Sequence, residues 1–115
     1  MIQVEIDRDA ACKICGFRME GHAGFAEEGE DIVCAAVSML VINTINSIQQ
    51  FTKAIFSVDA AEEEGGFLTF QLEKTHSPQE RHDVELLLEA MYFGLQSVQE
   101  AYANTIEIFD EGGRA

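Results

Sequence analysis

Apolar residues recur at every second position from Ile2 through Val4 to Ile6, with Gln3 and Glu5 between them. That is the period of a strand with one face buried. Asp7 to Lys13 is polar and turn-like. From Ile14 to Glu20 the alternation returns, setting Cys15, Phe17 and Met19 against Arg18 and Glu20. Two alternating runs across a short break predict a hairpin. Gly21 to Glu30, with three glycines and three glutamates, reads as a loop.

The period changes at residue 32. Val33, Val37, Leu40, Val41, Ile45 and Ile48 recur at helical spacing and predict a helix over 32–51. Its first half is apolar almost all round, as in a helix buried on more than one side. Residues 54–59 (AIFSVD) and 67–73 (FLTFQLE) are strand-like, joined by the acidic turn AAEEEGG; Leu68, Phe70 and Leu72 share a face. Ser77-Pro78-Gln79-Glu80 is a capping box with proline at the first helical position. Val84, Leu87, Leu88, Met91, Leu95, Val98 and Tyr102 follow on one stripe, predicting a helix that ends near residue 103. Ile106 to Phe109 can add a short last strand, and 111–115 reads as a frayed, disordered tail.

The order ββαββα(β) predicts an α+β, two-layer domain over residues 1–110: a mainly antiparallel sheet with two helices packed on one face. A chain of 115 residues fits one domain, and 47% hydrophobic residues suffice for a core. The net charge of -14 repels phosphate backbones, so nucleic acid is a poor partner, whereas a basic protein is attracted. The N-terminus lacks the basic and apolar regions of a signal peptide. The apolar run from Ile32 to Ile42, broken by Ser38, is too short to span a bilayer. Three cysteines suit a reducing cytoplasm better than a disulfide framework.

The candidate chemistry lies in GHAGFAEEGEDIVCAAVS, residues 21–38. Asp31, three residues before Cys34, is placed to cap the helix, which puts Cys34 in the first turn. There the unpaired N–H groups and the helix dipole favour a thiolate. His22, between Gly21 and Gly24, is placed as its base. Ser38, one turn after Cys34, shares its face. Two other readings stay open. Cys34 can be a small buried hydrophobe in a binding or assembly factor. Cys12, Cys15 and His22 can instead serve a small metal-binding protein. His76 and His82 flank the capping box and read as exposed helix-start residues.

The joint pattern of His22, Ala23, Gly29, Asp31, Val33, Cys34, Ala35, Ala36 and Ser38 resembles the ribosomal-processing cysteine proteases of bacteria. Cys12 and Cys15 are not part of that pattern. The resemblance implies a cytoplasmic cysteine endopeptidase that removes the N-terminal extension of large-subunit ribosomal protein twenty-seven. It implies Cys34 as nucleophile, His22 as base, a homodimer, and a mobile lid over Gly24 to Glu30. Neither metal nor cofactor is implied, and no contact with nucleic acid or membrane. Gly21, Ala23, Gly24, Asp31 and Ser38 are the candidates for supporting or substrate-binding roles.

Overall fold

The computed structural model describes residues 1–21, 30–61 and 66–110, with the main chain alone at Glu30 and Asp31. Strands β1 (Ile2–Arg8) and β2 (Ile14–Glu20) form the predicted hairpin, followed by helix α1 (Glu30–Phe51). A second hairpin, β3 (Ile55–Ala61) and β4 (Phe67–Lys74), leads to α2 (Pro78–Ala101) and β5 (Ile106–Phe109). The sheet order is β3-β4-β2-β1-β5. All pairings are antiparallel except that of β5, which lies parallel to β1. The α+β, two-layer expectation is met.

Both helices cover one face. Ile2, Val4, Ile6, Phe17, Phe70 and Ile106 point from the sheet into a core shared with Val33, Val37, Val41, Ile45 and Ile48 of α1 and Val84, Leu88, Met91 and Leu95 of α2. Phe17 and Phe70 are cross-strand partners, and their rings stack with centroids 5.2 Å apart. Gln3, Glu5 and Arg18 look outward to water, as period-two alternation requires.

Four expectations need correction. First, Cys15 does not share the inward face of Phe17. The pairing shifts from Asp7↔Gly16 to Arg8↔Ile14, so Cys15 is an extra residue in a bulge and Ile14 is fully buried in its stead. Second, Tyr102 follows the end of α2 and is 41% exposed; Tyr92 enters the core. Third, the capping box closes differently. The Ser77 hydroxyl accepts from Glu80 N–H at 3.1 Å, but the Glu80 carboxylate accepts from His76 N–H and Lys53 N–H rather than from Ser77. The start of α2 is thereby tied to the chain leaving α1. Fourth, the apolar segment is longer than the run ending at Ile42. Ile32–Phe51 spans 20 residues at mean hydropathy 1.6, enough by length and composition to cross a bilayer. Its buried stripe from Val33 to Ile48 packs against sheet and α2, so it is a core helix here.

Arg8 lies in the segment expected to be turn-like, yet its side chain is only 2% exposed. It continues the inward alternation of Ile2, Val4 and Ile6. Burial works against its charge, but bonds to Asp110 and Glu89 outweigh that and hold the guanidinium protonated. It reaches Asp110 at 2.9 Å, Glu89 at 2.7 Å and the Cys12 carbonyl at 2.8 Å, and lies over the Tyr92 ring.

Candidate active site

Cys34 lies on α1 where the helix passes over the end of the sheet. Its half-buried side chain lines a cleft of about 510 Å³ together with Ser38, one turn further on. The cleft floor is one cross-strand row, Met19↔Leu68↔Ala60, whose members share the face turned toward the helices. Ala61, Gly66, Phe67 and Gly21 complete the rim. Among the described residues the lining is mostly apolar, with the Cys34 thiol and Ser38 hydroxyl as its polar side-chain groups.

Gly21 and Gly66 shape the rim. Both have positive φ, 80° and 82°, the left-handed region that glycine adopts without strain. They end β2 and precede β4, and Gly21 N–H donates to the Gly66 carbonyl at 3.1 Å. A Cβ at Gly21 would meet the Met1 carbonyl oxygen at 2.7 Å. Gly21 therefore has a structural reason to be glycine.

Of the residues expected at the site, the structure brings Gly21, Cys34 and Ser38 to one cleft. His22, Ala23, Gly24 and the segment up to Gly29 that was expected to act as a lid lie outside the described residues, as do the Asp31 side chain and residues 111–115. The expected cap at Asp31 is displaced. α1 begins at Glu30, which puts Asp31 inside the first turn and Cys34 in the second. In α-helical pairing the Cys34 N–H is directed at the Glu30 carbonyl, so it is not an available donor for an oxyanion. Met19, Ala60, Ala61, Phe67 and Leu68 escaped the sequence reading as cleft residues. Only the shared face of Leu68, Phe70 and Leu72 hinted at the floor.

The other two cysteines lie elsewhere. Cys12 occupies the exposed β1–β2 turn at φ 66°, and Cys15 donates its thiol to the Asp7 carbonyl at 3.6 Å. Burial, with the nearby charges of Asp9 and Asp7, pushes the Cys15 thiol up, away from a reactive thiolate. Among the described residues, no three His, Cys, Asp or Glu side chains converge in a way that would hold a metal ion.

A two-layer α+β domain with a helix-borne cysteine in an apolar cleft is one architecture of a cysteine peptidase. The family model described as cysteine protease Prp matches residues 1–107. The ribosomal processing cysteine protease Prp of Bacillus subtilis is 32% identical over 108 residues, which are 94% of this chain and 96% of that one. The essential ribosomal processing protease Prp of S. aureus, solved with a substrate peptide, superposes with a TM-score of 0.82 at 26% identity, covering 96% of this chain and all of that one. The same S. aureus protease with a covalently linked product peptide gives 0.81 at 28% identity, over 96% of this chain. This chain belongs to the Prp family of cysteine proteases, and it is a cysteine-type peptidase.

Proposed function

We propose that this peptidase removes the N-terminal extension of bacterial large-subunit ribosomal protein twenty-seven, using Cys34 as nucleophile and His22 as base. The carrying observation is that Cys34 and Gly21 line the same cleft, and His22 is the next residue in the chain after Gly21. The substrate reading is supported by the ribosomal-processing relatives and by the net charge of -14, which attracts a basic ribosomal protein and speeds encounter at low salt.

His22 takes the proton of the Cys34 thiol, and the thiolate attacks the scissile carbonyl carbon. The tetrahedral intermediate collapses, the C–N bond breaks, and the His22 imidazolium protonates the departing amine. Water, deprotonated by His22, then attacks the thioester and releases the acid with the Cys34 thiol restored. These steps need neither metal nor cofactor. The apolar floor of Met19, Leu68 and Ala60 suits an apolar substrate side chain beside the scissile bond. The protein works in the cytoplasm, where a ribosomal substrate is made, and as a homodimer. Exposed Ile32, Met39 and Ile42 on α1 and Leu86 and Phe93 on α2 support a partner copy.

The test is mass spectrometry of the extended ribosomal protein after incubation with the wild type or with Cys34→Ala. Loss of one N-terminal fragment with the wild type alone is expected. An unchanged mass with the wild type, or cleavage by Cys34→Ala, overturns the reading.

A further inference from the structure

Among the described residues nothing covers the sheet face turned away from the helices. The strand register sets its rows. One runs Glu107, Gln3, Glu20, Phe67, Ala61, and the next Phe109, Glu5, Arg18, Thr69, Asp59. Asp7 and Glu73 point the same way by alternation. Glu5, Asp7, Glu20, Asp59, Glu73 and Glu107 thus share one face, and Arg18 is the only cation among its described residues. Like charges gathered on a sheet face repel, and a cationic partner relieves that repulsion.

Arg18 shows how this face holds a guanidinium. It lies over the Phe67 ring at 4.6 Å and reaches Glu20 at 3.4 Å and Glu5 at 3.8 Å. Phe109, 40% exposed, stands beside Glu5 in the register and shares the outward side of β5 with Glu107. Ring and carboxylates together are offered there to a cation from outside.

The face also borders the active site. The row Glu20↔Phe67↔Ala61 is one residue along from the cleft floor Met19↔Leu68↔Ala60, and Phe67 and Ala61 line the cleft rim. A chain leaving the cleft across that rim comes onto the acidic face. The exposed apolar residues of α1 and α2 lie on the opposite layer, so a dimer formed through the helices leaves the sheet face open.

We infer that this sheet face is a second docking surface, which holds the basic mature body of the ribosomal substrate while its N-terminal junction occupies the cleft. This inference rests on the processing function proposed above. Ion pairs and cation–π contacts carry the docking, so it weakens as salt rises. Because the mature body keeps its charge after cleavage, the product retains its hold on the face and competes with uncut protein.

Two substrates test this: the extended ribosomal protein twenty-seven, and a short peptide spanning its cleavage junction. The variant is Glu5→Gln/Glu107→Gln. Its control is Asp83→Asn/Glu100→Gln on α2, which removes the same charge from the other layer. The ratio of kcat/KM for extended protein to kcat/KM for peptide should fall about fivefold or more in the first variant at low salt, and hold in the second. Mature ribosomal protein without its extension should bind Cys34→Ala protein in fluorescence anisotropy, and bind more weakly when the Glu5 and Glu107 changes are added. An unchanged ratio, an equal fall in both variants, or no binding of the mature protein each overturn the inference. If the mature protein binds through Glu5 and Glu107 but the extended protein is never cut, the docking stands and the processing function falls. If the extended protein is cut while the ratio holds, the function stands and the docking falls.

Discussion

Gly21 and Gly66 meet at the rim of the Cys34 cleft, joined by one backbone hydrogen bond of 3.1 Å and both held at positive φ. The chain entering the His22 segment and the chain entering β4 are thereby fixed to one another. Gly21→Ala should cost about 1–3 kcal/mol, from the strained φ and from a Cβ against backbone that no rotamer change can relieve. Cleavage should fall with it. Urea unfolding of the two proteins checks the first part, and peptide hydrolysis at a temperature where both are folded checks the second.

Cys34→Ala should abolish cleavage while costing on the order of 1 kcal/mol of stability, the scale of one half-buried thiol. His22→Ala should lower turnover by orders of magnitude and slow iodoacetamide alkylation of Cys34 at neutral pH. Cys15 is an internal control. Its thiol is pushed up by burial, so it should react slowly and equally in both proteins. Peptide mapping by mass spectrometry separates the sites.

Arg8→Ala should cost about 3–5 kcal/mol, because it leaves Glu89 and Asp110 as carboxylates without their buried counter-charge. Arg8→Met, which keeps the stem volume, should recover little unless the two acids are also replaced. Denaturant melts of the single and triple variants measure this directly.

Bonds from the main-chain N–H groups of His76 and Lys53 hold the Glu80 carboxyl below the usual carboxylate range. Its folded-state value thus lies below the unfolded value of about 4.3. The stability that it adds is complete above that value and is lost as pH falls through the folded one. Wild type should therefore exceed Glu80→Gln in urea midpoint at neutral pH, and the gap should close as pH falls through the folded-state value. A gap that persists in acid would mean that the charge is not what matters.

Much of this architecture could be read from periodicity. The stripes of α1 and α2, the two hairpins and the Ser77 cap appear at their places because each depends on neighbours in sequence. The misreadings concern distant partners. The bulge that exchanges Cys15 for Ile14 is set by how β1 meets β2, and nothing in ICGFRME marks it. Arg8 looked like a turn residue although it extends the inward alternation by one step. Its partners, Glu89 and Asp110, are 81 and 102 residues away. The proposed pair of Cys34 and His22 was legible as a motif. The cleft that receives a substrate was not, since its walls come from β2, β3, β4 and α1 and meet only through strand order.

The parallel pairing of β1 with β5 has a consequence for how the chain reaches its shape. Within the described sheet β1 is made before the other strands and β5 after them, and Ile2 lies beside Ile106. Until the C-terminal strand has emerged from the ribosome, one side of β1 has no neighbour and Arg8 has no Asp110. The first hairpin and α1 can assemble early from local contacts, but the sheet closes only across nearly the full length of the chain. Such closure carries a large loop entropy and slows folding relative to local pairing. For that interval the nascent domain exposes two open edges, β1 and β3, where the finished one, among the described residues, ends its sheet in β3 and the short, four-residue β5.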